Sequence, residues 1–128
     1  QEVLEFSEHR FKSVFEQAPM GIALADAISG QYLNVNQHLA NILGFSRENL
    51  MKMTWMDITH PDDLNEDIGF MTRLNAGEIQ QYQMKKRYLH ADGSSVWINL
   101  HVTPVNVDGV RPYVLSMIEN ITHRDSLM

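Results

Sequence analysis

Two Asp-Gly pairs, Asp92-Gly93 and Asp108-Gly109, divide the last third of the chain into three long segments of strand character. Asp-Gly readily takes the positive backbone angles of tight hairpins, so residues 79–90, 95–105 and 111–121 are predicted to run antiparallel to their neighbours. The middle segment alternates. Val96, Ile98, Leu100 and Val102 fall on one face, and Trp97, Asn99, His101 and Thr103 fall on the other. In residues 82–89 the same parity groups Tyr82, Met84, Lys86 and Tyr88 against Gln83, Lys85, Arg87 and Leu89. Residues 114–118 turn Val114, Ser116 and Ile118 inward.

The preceding residues divide into a helix, a strand pair and a broken helical stretch. Residues 2–17 have helical spacing, with Leu4, Phe11, Val14 and Phe15 apolar between charged positions, and Pro19 stops them. A short strand over 20–26, a Ser29-Gly30 turn and an alternating segment over 31–36 read as a hairpin. Asn36 is placed to cap a helix through Leu39, Ile42 and Leu43 that Gly44 ends, and Ser46 opens another. Residues 55–59 are too short for a long helix. Pro61-Asp62-Asp63 starts one, with acids where the helix dipole favours them and Gly77 at its far end. Its apolar stripe reads Leu64, Ile68, Met71 and Leu74. The fold class is α+β.

A length of 128 residues suits one domain, and a chain of this size buries roughly two thirds of its unfolded surface. There is no cysteine. That excludes disulfides, thiolate zinc, iron–sulfur clusters, a cysteine nucleophile and a cysteine-linked chromophore. No apolar run approaches the ~20 residues of a spanning helix, and no secretory signal opens the chain. A net charge of −6 argues against nucleic acid as a partner. Gln1 in place of methionine points to an excised or processed piece.

Few residues suggest chemistry. Asp62 with Glu66, and Asp63 with Asp67, lie four apart and share faces that would suit a hard cation. The preferred reading is a solvated helix start. The six histidines have no zinc-like spacing, and neither a catalytic triad pattern nor a phosphate loop is present. Lys86 falls on the inward parity of its strand and needs a counter-charge or a route to the rim. Snorkelling to the rim is preferred. An anionic ligand, Asp57 or Glu66 would also satisfy it. Lys85-Lys86-Arg87 is split across two faces, which makes a poor nucleic-acid patch.

Taken in order and spacing, several short motifs resemble the Per-Arnt-Sim (PAS) sensor family from about Phe11 to Arg124. They are Ala18-Pro19-Met20-Gly21-Ile22-Ala23, Val35-Asn36, Leu43-Gly44-Phe45-Ser46-Arg47-Glu48-Asn49-Leu50 and His60-Pro61-Asp62-Asp63-Leu64. They continue with Asp92-Gly93-Ser94 and Trp97, Thr103-Pro104-Val105, and Asn120-Ile121-Thr122-His123-Arg124. The resemblance implies a five-stranded antiparallel sheet of order 2-1-5-4-3 with helices on one face. The domain layout would be an N-terminal helix over 1–17, a core over 18–122 and the start of an output linker over 123–128.

It further implies a non-enzymatic sensory module of the kind found in bacterial histidine kinases and cyclic-di-GMP signalling proteins. A small colourless ligand would sit between Leu39, Leu43, Trp55, Ile68 and Met71 on the helical side and Ile98, Leu100, Val102, Val114, Ser116 and Ile118 on the sheet. Lys86 and Tyr88 would join them. The signal would leave through Asn120, Thr122 and Arg124. The family usually closes on Asp-Ile-Thr, so Asn120 leaves an Asn–Arg hydrogen bond in place of a charged link. Haem-binding members carry a histidine on the long helix, which is absent here. Photoreactive members carry a cysteine where this chain reads Met53-Thr54-Trp55-Met56, so neither haem nor a flavin adduct is expected. Non-covalent flavin is a minor alternative, and no metal is expected. A homodimer through the N-terminal helix, a cytoplasmic location and an output domain beyond Met128 complete the expectation. The parent protein's membrane attachment is left open. The alternatives are a ligand-free structural dimerisation module and a small cup-shaped isomerase using Asp57 and His60.

Overall fold

A computed structural model describes residues 2–122, with side chains from Arg10 onward. The elements are α1 (Glu2–Gln17), β1 (Gly21–Asp26), β2 (Tyr32–Val35), α2 (Gln37–Leu43), α3 (Arg47–Leu50), α4 (Pro61–Asn75), β3 (Tyr82–Leu89), β4 (Ser95–Val107) and β5 (Val110–Asn120). The side chain of Leu4 and the whole of Arg124 lie outside the described residues, as does the expected linker over 123–128.

The sheet runs β2-β1-β5-β4-β3, with every neighbouring pair antiparallel. Its long hairpin closes at Asp108-Gly109, where both residues have positive φ, 51° and 84°, and Val107 pairs with Val110. That is the geometry Asp-Gly favours in a two-residue loop. β1 adds to the free side of β5, from Gly21 opposite Ile118 to Asp26 opposite Tyr113. The first hairpin is thereby joined to the last strand.

Strand parity holds along β3 and along β4 as far as Val102. Tyr82, Met84, Lys86 and Tyr88, with Val96, Ile98, Leu100 and Val102, are buried beneath the helices. β2 is shorter than the alternation predicted. Gln31 forms a lone bridge to Thr54, and Asn36 leaves the strand to become a cap.

Asn36 ties the N-terminal half together. Its Oδ1 accepts from the Leu39 and Ile22 amides, each at 3.0 Å, and its Nδ2 donates to the Phe15 and Met20 carbonyls at 2.8 and 3.0 Å. One buried amide therefore joins α1, β1 and α2. Gly44 ends α2 at φ 77°, and the His90 ring lies so close that a Cβ there would meet it at 2.3 Å. Arg47 grips Glu16 through two hydrogen bonds at 3.1 and 2.7 Å, which fixes the end of α1. On α1 itself Phe15 is buried and stacks on Phe11. Phe11 and Val14 remain 55% and 62% exposed.

α4 is rotated from its predicted face. The buried positions are Asp67, Met71 and Leu74, whereas Ile68 is 38% exposed. Leu64, Asp67, Met71 and Leu74 keep helical spacing as well as the predicted stripe does. An inward charge on β3 selects the face that carries the aspartate.

Candidate functional site

The polar centre of the inner face is Lys86. Its ammonium does not snorkel to the rim, because the rotated α4 brings it an internal counter-charge. The lysine pairs with Asp67, rather than with Asp57 or Glu66, and both side chains are about 1% exposed. The Tyr82 hydroxyl donates to the other Asp67 oxygen at 2.7 Å. Lys86 also donates to Thr59 Oγ1 at 2.9 Å, and that hydroxyl donates in turn to the Trp55 carbonyl at 2.7 Å. A bridge between Thr59 and Tyr88 holds the threonine in place. The ammonium completes its surroundings with ring faces, Tyr88 at 4.4 Å and Trp55 at 5.1 Å.

Burial pushes the Lys86 ammonium below the ordinary lysine range, while the Asp67 charge opposes the shift. Burial, then the charge of Asp67, raises the Tyr82 hydroxyl above the ordinary tyrosine range. Tyr88 is raised in the same way, first by burial and then by Tyr32 and Asp67. Both hydroxyls stay neutral, and that of Tyr82 donates to Asp67.

The cavity at this centre is small. About 10 Å³ is open to the centre of a water-sized sphere, close to the lower bound of roughly 10–15 Å³ that one water needs. Trp55, Met71, Lys86, Tyr88, Leu100, Val102, Val114 and Ser116, all expected at a ligand site, line it. Leu39, Leu43, Ile98 and Ile118 are fully buried core side chains that do not line it. Ile68 is a correction. It lies on a separate outer groove, because the turn of α4 that meets the sheet presents Asp67.

Sequence reasoning missed Asp67 and Tyr82, which also line the cavity. The available signal was the spacing that puts Asp67 between Leu64 and Met71 on one helical face, opposite an inward lysine.

The acidic start of α4 is solvated only in part: Asp62 is 73% exposed, while Asp63 and Asp67 turn to β3. Among the described residues no group of three or more potential ligands is placed to hold a metal ion. Asp63 instead grips Arg87 of β3. It accepts from Arg87 Nη2 at 2.9 Å, Nε at 3.1 Å and the Arg87 backbone amide at 2.7 Å. These contacts, led by the Arg87 side chain, hold the Asp63 carboxyl below the usual carboxylate range. Asp57 and His60 are spent on local caps. Asp57 accepts from the Thr54 amide and His60 Nδ1 from the Asp62 amide, and neither lines the inner cavity.

The Arg87 guanidinium lies 4.9 Å from the centre of the Trp97 ring. Trp97 is in turn bonded to the two residues that follow β5. Its amide donates to Thr122 Oγ1 at 2.8 Å, and its carbonyl accepts from the Ile121 amide at 2.9 Å and from the Thr122 hydroxyl at 3.3 Å. Asn120 Oδ1 accepts from the Thr122 amide at 3.0 Å. The expected Asn120–Arg124 bond lies outside the described residues.

A family model described as PAS fold matches residues 32–118. The chain belongs to the PAS family. Over 116 residues this domain is 39% identical to the probable diguanylate cyclase DgcE of Escherichia coli (strain K12), covering 90% of the chain and 10% of that protein. It is 29% identical over 122 residues to the sensor histidine kinase TmoS of Ectopseudomonas mendocina, covering 94% of the chain and 12% of that protein. The chain thus spans about a tenth of the length of these relatives. Among solved structures, the PAS domain of a protein from Colwellia psychrerythraea shares the fold with a TM-score of 0.82 at 20% identity. That match covers 93% of this chain and 99% of the other. This is a PAS domain of the kind found in signalling proteins.

Proposed function

We propose that this PAS domain is a non-catalytic sensory module of a larger signalling protein, and that it reports the state of its inner cavity through the segment after β5. The observation that carries this reading is the double grip of α4 on β3. One helix holds the buried Lys86 through Asp67 and, one turn earlier, Arg87 through Asp63. Arg87 covers Trp97, and Trp97 anchors Ile121 and Thr122 where the chain leaves the sheet. A shift of α4 at the cavity is therefore transmitted to the exit through contacts between neighbours, with no long-range field required. By analogy with the two relatives, the output is a cyclase or a kinase.

The exposed Phe11 and Val14 of α1 suit a homodimer through that helix. The ligand is small and colourless. No side-chain amide lines the cavity to read an isoalloxazine edge, so flavin is not part of the proposal. No helix among the described residues is long and apolar enough to cross a membrane. A cytoplasmic location is part of the same proposal.

The test is amide hydrogen exchange at the exit. Asp63→Asn is expected to speed exchange of the Ile121 amide while the amides of β1 remain protected. Unchanged exchange at Ile121 would remove the route. Sedimentation at high micromolar concentration should give a dimer that Val14→Glu converts to monomer.

A second reading is favoured by the size of the cavity, which holds about one water and whose lysine is already paired. In it the domain is a ligand-free dimerisation module. Native mass spectrometry of the purified chain separates the two readings: a retained small molecule supports the sensor, and a bare mass with no response to any added ligand supports the structural module.

A further inference from the structure

Beside the inner cavity, on the outside of the molecule, lies a groove of about 140 Å³ between α4 and the turn after β1. Ala27, Ile28, Met56 and Ile68 give it apolar walls, and Ile28 is 84% exposed. Trp55 and Met71 line this groove and the inner cavity alike. These two side chains form the partition between the outer groove, whose lining Thr72 and Asn75 complete, and the buried polar centre.

We infer that Trp55 is a movable wall, and that groove and cavity together form one site for a small neutral molecule with an apolar body and a hydrogen-bond acceptor at one end. The inference rests on the sensory reading above and names its ligand class. Two features argue that the wall moves. Trp55 belongs to a stretch without regular secondary structure, held by its own backbone: its amide donates to the Gly30 carbonyl and its carbonyl accepts from Thr59. A change of side-chain rotamer breaks neither bond. The indole also packs on Gly30, where a Cβ would stand 2.7 Å from Nε1, so no side chain at position 30 stands against the ring. Met71, the other member of the partition, is an unbranched thioether that adapts to changed neighbours.

The acceptor end follows from Lys86. An ammonium has three N–H donors. Here two meet oxygens, those of Asp67 and Thr59, and the ammonium otherwise faces the Trp55 and Tyr88 rings. When Trp55 swings aside, a carbonyl or hydroxyl oxygen takes the third donor. Asp67 already balances the lysine charge, so an added carboxylate would be a second buried anion against one cation. The head is neutral. The body is set by the groove, whose mostly apolar lining includes the polar Thr72 and Asn75. Its volume is close to that of a closed apolar cavity of roughly 150 Å³ that accommodates benzene. A chain of about six to eight carbons fits that scale.

The test titrates the ¹⁵N-labelled chain with 2-heptanone and follows the Trp55 indole N–H, with Trp97 as the internal reference. The expected result is a saturable shift of Trp55 that exceeds that of Trp97. Ile68→Glu changes an exposed position and should weaken binding about tenfold by placing a charge in the groove. The double variant Lys86→Met/Asp67→Leu replaces the ion pair with apolar side chains, a change buried sites tolerate, and should weaken binding by a similar factor. Hexanoate should bind at least about tenfold more weakly than 2-heptanone. No saturable Trp55 shift up to the solubility limit would overturn the proposal. So would indifference to either variant, or hexanoate binding as tightly. Retention of an anionic metabolite with 2-heptanone inert would overturn this ligand class and leave the sensory reading standing.

Discussion

One turn apart on α4, Asp63 and Asp67 each hold a cation of β3, and the two cations are adjacent in sequence. The pairs differ in surroundings. Lys86–Asp67 points into the core, and both side chains are about 1% exposed. Arg87–Asp63 wraps the edge of the sheet, with side chains 24% and 17% exposed. Strand alternation creates the contrast by sending Lys86 inward and Arg87 outward. The helix reaches both because residues four apart share a face. The inner pair carries a large desolvation cost that its mutual attraction offsets, so its removal one partner at a time is severe. The outer pair keeps part of its hydration and is screened by salt. Similar charges one turn apart therefore serve different ends.

The largest expected effect comes from breaking the inner pair on one side only. Lys86→Met strands the Asp67 carboxylate in the core and should cost about 3–5 kcal/mol in urea denaturation. Adding Asp67→Leu should recover most of that loss, because apolar replacement of a whole buried pair is often neutral or stabilising. A double variant as unstable as the single one would mean that the interior needs the ion pair itself.

Asp63→Asn tests the outer pair and should lower Tm by roughly a few degrees at neutral pH. Its pH dependence has a definite sign. The carboxyl of Asp63 is held below its ordinary range in the folded state, chiefly by the Arg87 side chain. Its contribution is therefore present above the unfolded carboxylate range and lost as pH falls through the folded value. The variant should show a shallower loss of stability on acidification than the parent chain. A smaller effect should appear with salt. Raising the ionic strength towards 1 M, where screening acts over about 3 Å, should narrow the gap between parent and Asp63→Asn. The gap between parent and Lys86→Met/Asp67→Leu should stay.

The same contrast marks what was legible in the sequence. Local signals translated directly. Asp108-Gly109 closes its hairpin, Asn36 and Ser46 cap their helices, and Gly44 ends α2 in the left-handed region. The inward parity of Lys86 was legible for the same reason, since alternation along a strand is local. Its partner was not. Leu64 and Ile68 look like one apolar stripe until the strand opposite is known to present an ammonium, and only then does Asp67 become the inward residue. The hold of Asp63 on Arg87 and of Thr122 on Trp97 joins residues 24 and 25 positions apart, which no periodicity reports. The resemblance to PAS domains supplied the sheet order and the general place of the cavity. The ligand-free alternative allowed for a cavity filled by side chains, and the packing around Lys86 leaves about 10 Å³ there.

The central claim is that α4 couples the buried pair to the edge pair. A double-mutant cycle between Asp63→Asn and Lys86→Met/Asp67→Leu, read by urea denaturation, tests it most directly. The account expects a coupling of about 0.5 kcal/mol or more, because loosening one grip lets the helix shift against the other. Effects that add within about 0.3 kcal/mol would contradict it and leave two independent anchors on one helix.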